Sequence, residues 1–535
     1  MSLKQRFVHR SKKLAMSPPV MRWVSDDRVM KAAEGVMDAR GRVKEAWRVL
    51  RDGHELPAID PALDDSIAEE VDEDSSYPAA RPTNGTATSG AAITDAPPGQ
   101  TTSERPSQAG HASEQGKVEK TVTEALRQRG TVAAIGGKDI FEKCGQFKAA
   151  DNARKVGIYP YFKPLDYNDG PEAVIDGKRV TMFGSNNYLG LTTHPEVRKS
   201  AQEAIDRFGT SMTGSRLVNG SMKLHNEFEE KLADWFGKES ALVFTTGYQV
   251  NVAALSALLS NKSNVAVIDR NVHASLYDGC RLGMANGAKL VRFRHANANA
   301  LDRALSRLDD AEGALVITDG VFSAEGEIAK LDEIVPVVKK HGARIFVDDA
   351  HALGVIGPEG RGTAHHFGLE DDVDLIGGTF SKSMASIGGY LVGDRKVLEY
   401  VQHFAPSFMF AASAAPPCVA AAMKAFDMMR EEPWRQEKLK ENFTYMRTEL
   451  TRLGFELGHT ETAVIPIYIR QDLRTLMMWR DLLEDYGVYT NAFISPGVPP
   501  KNAMLRTSYM ATHERKHLDR GLEALEKVGK KYGVI

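Results

Sequence analysis

Between residues 241 and 383 the chain alternates short β-branched runs with helical stretches. The runs are ALVFTTGY (241–248), NVAVIDRN (264–271), KLVRFRH (289–295), ALVITDGVFS (314–323), RIFVDDAH (344–351) and VDLIGGTFSKS (373–383). Repeated βαβ units of this kind give a mostly parallel sheet, because parallel neighbours need a crossover and the crossover helix packs back onto the sheet. The fold class is therefore α/β. From about residue 411 the pattern changes to TAVIPIYI (462–469), AMLRTSYMATH (503–513) and a final helix from His517, which reads as a smaller α+β domain. Ligands of open α/β sheets bind outside the carboxyl ends of the strands. Gly247, His273, Ser323, Asp348, His351 and Lys382 all fall there.

Ahead of this region the sequence predicts a looser organisation. Residues 1–60 read as an N-terminal helical segment, with Ser25-Asp26-Asp27 as a cap and apolar residues from Val29 to Leu50 at helical steps. Residues 61–116 join the acidic DDSIAEEVDED (64–74) to a stretch rich in Pro, Gly, Ser and Thr. That composition buries too little to offset chain entropy and predicts a disordered linker. The folded body is expected as an arm at 117–178, a large domain at 179–410 and a small domain at 411–535.

A formal net charge of −3 argues neither for nucleic acid nor for an acidic partner, and no nucleic acid is expected. No apolar run reaches the roughly 18 residues of a membrane span. The basic start MSLKQRFVHRSKKLAM has no cleavable signal after it, so a cytoplasmic protein is expected, and its charge suits peripheral contact with an anionic membrane surface. Cys144, Cys280 and Cys418 lie far apart and read as small buried apolar residues, neither a disulfide framework nor a metal site. His365-His366 has no metal-ligand company, and no metal is expected. His225 reads as a solvated helix position, and GVIGPEGRG (354–362) as a mobile loop without nucleotide-binding spacing.

The chemistry gathers around GGTFSKSMASIGG (377–389), where Lys382 stands in a run otherwise free of charge. Burying an ammonium is costly unless it is paired or neutralised, so a lysine there suggests an amine used covalently. Pyridoxal 5′-phosphate, a lysine-bound aldehyde cofactor, needs such an amine. It also needs an acid for its pyridine nitrogen, and hydroxyls and amides for its phosphate. Asp348 is placed for the nitrogen and His351 for the ring oxygen. Thr379 and Ser381 offer hydroxyls, and Thr246-Gly247 opens a helix whose amides point outward. Each residue alone also has a structural explanation, as cap, turn or satisfied histidine.

Together GSNNYLGL, GTSMTGSRLVNG, NVHASLYDG, TDGVFSAEGE, VDDAHALGVIG and GTFSKSMASIGGY resemble the α-oxoamine synthases, pyridoxal-phosphate enzymes of aminotransferase fold type I. The resemblance covers roughly residues 155–535. It implies a seven-stranded, mostly parallel sheet, a homodimer and a decarboxylative condensation of an amino acid with an acyl thioester. GIYPYF (157–162) and MLRTSYMATH (504–513) resemble the branch that joins L-serine to a long-chain acyl-CoA or acyl carrier protein. A glycine-using branch is the alternative, and a silent partner subunit is disfavoured by the presence of Lys382. The resemblance implies Lys382 as the cofactor-bound lysine, Asp348 as pyridine partner, His273 against the ring and His351 at the ring oxygen. Gly247, Tyr248, Ser323, Thr379 and Ser381 are implied around ring and phosphate, with Asn187 and Arg506 on the amino-acid substrate. Two positions depart from the pattern. Ala411 replaces a hydroxyl expected from the neighbouring subunit, with Ser413 nearby, and Phe493-Ile494 stand where some serine-using members carry an arginine.

Overall fold

The computed structural model describes residues 139–499 and 501–535. The chain divides into two compact units, Met1–Tyr159 and Pro160–Ile535. The expectations for residues 1–60, 61–116 and the first part of the arm lie outside the described residues. In the first unit the described part holds two short helices, α1 (Glu142–Gln146) and α2 (Ala149–Lys155).

The second unit opens with β1 (Tyr167–Asn168), β2 (Glu172–Ile175) and β3 (Lys178–Met182), followed by α3 (Pro195–Phe208) and α4 (Lys223–Phe236). The alternating region then gives β4 (Ser240–Phe244), α5 (Gly247–Leu258), β5 (Asn264–Asp269), α6 (Ala274–Ala285), β6 (Lys289–Phe293) and α7 (Ala298–Leu305). It continues through β7 (Gly313–Asp319), α8 (Leu331–Lys340), β8 (Arg344–Asp348), α9 (Thr363–Phe367), β9 (Leu375–Thr379) and β10 (Gly389–Gly393). Helices α10 (Arg395–Phe404), α11 (Pro406–Met409), α12 (Pro416–Glu431) and α13 (Trp434–Leu453) lead to the last part. That part contains β11 (Val464–Tyr468), α14 (Asp472–Glu484), β12 (Val488–Tyr489), β13 (Asn491–Phe493), β14 (Met504–Ser508) and α15 (Arg515–Lys531).

The large sheet has seven strands in the order β4-β10-β9-β8-β7-β5-β6. β6, β5, β7, β8 and β9 run parallel, and β10 is antiparallel to both of its neighbours. Helices cover the central strands, so these read as continuous apolar runs rather than alternating ones. Val265 to Ile268, Val316-Ile317 and Ile345 to Val347 are all buried. Each such aliphatic side chain contributes about 1.5–3 kcal/mol on leaving water. The expected α/β class and the mostly parallel sheet are what the chain forms.

RVTMFGS, expected to begin the large domain, pairs elsewhere. β3 lies in a four-stranded sheet of order β1-β2-β3-β12, parallel to β12 through Thr181↔Val488 and Met182↔Tyr489. There it buries Val180, Thr181 and Met182, and Phe183 packs between Tyr509 and His513 with ring centroids 5.3 and 5.0 Å away. A third sheet, β11-β14-β13, is antiparallel throughout.

Three local expectations are corrected. His225 is buried rather than solvated, because its Nδ1 accepts the Met222 N–H at 3.1 Å and closes the start of α4. Of the cysteines only Cys280 is buried, Cys144 being exposed and Cys418 part-exposed. Residues 354–362 form a compact turn tied by Gly354 N–H to Gly360 C=O (2.7 Å) and Gly362 N–H to Ile356 C=O (3.0 Å). No described helix is long and apolar enough to cross a membrane.

Candidate active site

The carboxyl ends of β7, β8 and β9 bring Asp319, Asp348 and the Lys382 loop together. Parallel register sets Asp319 beside Asp348. Asp348 is buried, and its Oδ2 accepts from Asn251 Nδ2 at 2.6 Å while its Oδ1 accepts the Ala350 N–H at 2.9 Å. The carboxylate is thereby aimed as well as satisfied. Lys382 keeps some accessible surface as a whole residue, but its amine lies deep among protein atoms. Desolvation pulls the amine down to about 8, against the attraction of Asp348 and Asp319 and assisted by the Arg506 charge. An amine so poised is a competent nucleophile and proton carrier near neutral pH.

His273 caps α6. Its backbone N–H reaches Asp319 Oδ1 at 3.3 Å, and its Nδ1 stands 2.7 Å from Ser275 Oγ. The residue as a whole is exposed, yet loss of surrounding water lowers the basicity of its ring more than Asp348 raises it, and Lys382 lowers it further. Tyr248 stands edge-on to this ring at 6.3 Å and donates its hydroxyl to Asp278.

On the other side of the lysine, Thr379 Oγ1 and Ser381 Oγ are 2.8 Å apart, and Thr379 Oγ1 also meets the Gly388 carbonyl at 3.0 Å. The start of α5 abuts this pair. A Cβ on Gly247 would lie 2.6 Å from Thr379 Cβ, so only glycine lets the helix come so close. Thr246 caps the helix by accepting Gln249 N–H at 3.1 Å, and the first-turn amides have no intrahelical acceptor. Hydroxyls against a helix N-terminus form an anion cradle. With the depressed amine and the aimed carboxylate, these residues fit pyridoxal phosphate.

Arg506, on β14, is buried with its donors on neutral oxygens. Nε goes to Ser323 C=O (2.6 Å), and Nη1 goes to Asn186 Oδ1 (3.0 Å) and Ser508 Oγ (2.8 Å). Among the described residues it has no ion-pair partner. His351 is buried, with Nδ1 2.6 Å from the Tyr188 hydroxyl. Burial first, then the Lys382 and Arg506 charges, keep its imidazole neutral. The Tyr188 hydroxyl in turn lies 3.3 Å from Asn186 Oδ1, which links His351 to Arg506.

Asn187 is not brought into this cluster. Its Nδ2 donates to Thr192 Oγ1 at 2.8 Å and its Oδ1 accepts the Leu191 and Thr192 N–H groups at 3.1 and 3.4 Å, so its side chain serves its own turn. Asn186, Tyr188, Asn251 and Asp319 were missed in the sequence. Asn186 and Tyr188 lie within GSNNYLGL and Asp319 within TDGVFSAEGE, but nothing in one sequence says which side of a turn each faces. Ser413 Oγ is buried without a hydrogen-bond partner, beside Ala411, Thr245 and Arg216 in a small cavity. Phe493 sets its ring 5.9 Å from the Arg506 guanidinium, and Ile494 is buried.

The family described as aminotransferase class I and II matches residues 178–525. A serine palmitoyltransferase of Sphingobacterium spiritivorum is 42% identical over 389 residues, 73% of this chain and 96% of that protein. An 8-amino-7-oxononanoate synthase of Thermoanaerobacter pseudethanolicus is 39% identical over 386 residues, 72% of this chain and 96% of that protein. The solved structure of a serine palmitoyltransferase from S. paucimobilis with a bound PLP–myriocin adduct superposes with a TM-score of 0.72 at 35% identity. It covers 74% of this chain and 100% of that one. Pyridoxal 5′-phosphate is the cofactor of these enzymes. The matched span carries the ends of β7, β8 and β9, and the chain belongs to the aminotransferase class I and II family, as one of its pyridoxal-phosphate-dependent, acyl-transferring α-oxoamine synthases.

Proposed function

We propose that the protein condenses L-serine with a long-chain acyl thioester, palmitoyl-CoA, releasing CO2 and free CoA and yielding 3-ketodihydrosphingosine, the first sphingoid intermediate. The observation that carries this reading is Arg506, a buried guanidinium with no carboxylate partner among the described residues, beside a lysine amine held near neutrality. When bound, pyridoxal phosphate supplies an aldehyde to that amine and a ring that withdraws electrons from the α-carbon of the amino acid.

The chain's own groups divide the remaining work. Arg506 would hold the serine carboxylate as a planar fork, its donors now on neutral oxygens being free to exchange partners. Asn186 is the neighbour best placed to share that carboxylate. Lys382 Nζ would remove the α-proton and return a proton at the end of the cycle. Asp348, fixed by two N–H donors, would hold the pyridine nitrogen protonated. His273 would lie against the ring with Tyr248 edge-on to it, and His351 would donate to the ring oxygen. Thr379, Ser381 and the α5 amides at Gly247 and Tyr248 would receive the phosphate, and Ser323 would support the ring. Residues 179–410 thus carry the cofactor groups and residues 411–535 the carboxylate fork.

The same reading makes the protein a cytoplasmic homodimer with peripheral access to the inner membrane surface, where long acyl chains partition. Its acyl donor is CoA-bound or carrier-bound. Phe493-Ile494 favours a second reading, since that stretch carries no arginine to supply a second guanidinium. A glycine-using synthase with a shorter acyl thioester needs only the one fork. Purified holoenzyme offered serine, glycine, palmitoyl-CoA and acetyl-CoA together separates the two by product mass, with Lys382→Ala as control. A lysine-dependent 3-ketodihydrosphingosine peak supports the first reading, and a glycine-derived product replaces it with the second.

A further inference from the structure

Asn251 and Ser275 lie fully inside the protein, on α5 and α6, Asn251 as a donor to Asp348 and Ser275 as a neighbour of His273. Asn251 Nδ2 is 2.6 Å from Asp348 Oδ2 and 2.8 Å from Ser275 Oγ. Its Oδ1 is buried and has no partner. The opposite amide orientation would press an acceptor against a carboxylate oxygen, so both amide hydrogens are committed, one to each oxygen. Ser275 Oγ therefore accepts from Asn251 and has its own hydrogen to give. It stands 2.7 Å from His273 Nδ1, which also faces the Ser275 backbone N–H at 3.3 Å. Two donors converge on Nδ1, so the imidazole proton resides on Nε2.

We propose that Asn251 and Ser275 act as positioning residues, one relay that aims the Asp348 carboxylate and holds His273 in its Nε2–H tautomer. Its importance to catalysis rests on the reading of Asp348 and His273 as cofactor-facing groups. The relay itself is a property of the polypeptide. A histidine against a cofactor ring can then donate from Nε2 and cannot accept there. Which nitrogen of a histidine carries the proton is set by the bond the other nitrogen makes. Through Asn251 that choice is tied to the group that holds the pyridine nitrogen.

The test is nitrogen NMR on protein labelled with ¹⁵N-histidine, without and with pyridoxal phosphate, with the His273 signals identified by their loss in His273→Gln. Wild type is expected to show an unprotonated Nδ1 and a protonated Nε2 in both states. Ser275→Ala is expected to move both signals toward a mixture of tautomers. Asn251→Ala, which touches Ser275 but not His273, is expected to do the same, a coupling that a packing role at either position does not produce. In turnover, Ser275→Ala should lower kcat about tenfold, with the amino-acid KM within about twofold. A proton on Nδ1 in wild type overturns the proposal, and that measurement stands even where a variant fails to fold. His273 signals unmoved in Ser275→Ala overturn it as well. An enzyme that makes no serine-derived product yet keeps the Nε2–H tautomer fails the functional reading and not the relay.

Discussion

Asp319 and Asp348 end neighbouring parallel strands in register, so two buried carboxyl groups stand side by side. Their supply of donors differs: Asp348 accepts two close N–H groups, and Asp319 accepts one, from His273 at 3.3 Å. Burial and then the Asp348 charge push the Asp319 acid well above the ordinary carboxyl range. Between the unfolded and folded values the native state binds the extra proton, so this group lowers stability as pH rises. Asp319→Asn, neutral at every pH, should raise the unfolding temperature of the cofactor-free protein by about 2 °C or more at pH 8. The gain should be smaller at pH 5. Equal shifts at both pH values would show that Asp319 is not the protonated acid.

The Lys382 amine, lowered to about 8, sets a pH window for cofactor capture. Only the free base attacks an aldehyde. The rate at which cofactor-free protein takes up pyridoxal phosphate, followed by absorbance, should therefore rise with pH and reach half its limit near pH 8. A midpoint near the ordinary lysine value would mean the amine is not desolvated. Lys382→Ala should lose about 10²–10⁴-fold in turnover through the lost proton transfers alone.

Asn186 and Asn187 are adjacent in sequence and opposite in use. Asn187→Ala breaks three hydrogen bonds of its own turn and should cost about 1–3 kcal/mol of stability in denaturant unfolding, with kcat/KM of the folded enzyme within about twofold. Asn186→Ala should instead raise the KM for the amino acid, since it removes a partner of Arg506. If the two effects came out exchanged, the substrate contact would belong to Asn187 after all.

Gly247→Ala should weaken cofactor binding rather than the chemistry. The new methyl would lie 2.7 Å from Thr379 Oγ1, so α5 or the hydroxyl must shift, and overpacking of this kind costs about 1–3 kcal/mol. Titration with pyridoxal phosphate should give a Kd raised about tenfold or more. An unchanged Kd would place the phosphate elsewhere.

The sheet and its strand-end residues were legible because they rest on short-range signals. β-Branched runs separated by helical stretches announce parallel strands, and a lysine among serines and glycines is conspicuous. What escaped depends on long-range pairing. β3 looks like any strand of the large sheet until β12, some 300 residues later, is there to pair with it. Asn251 looks like a helix interior residue, and only the packing of α5 on α6 brings it to Ser275 and Asp348. His225 reads as surface because its ring closes a helix start that no hydrophobic pattern marks.

β4 carries the start of α5 and β9 carries the Thr379 hydroxyl, yet the two strands are not neighbours, because β10 lies between them. At the point of contact β10 presents Gly389, where a Cβ would come within 2.7 Å of the Gly378 carbonyl and 2.9 Å of Gly247 Cα. The gauge of the proposed phosphate cradle is thus the thickness of a bare peptide strand. A residue assigned no contact with any ligand sets how far apart the two jaws stand. Inserting a side chain there would widen the grip without altering one group that does chemistry.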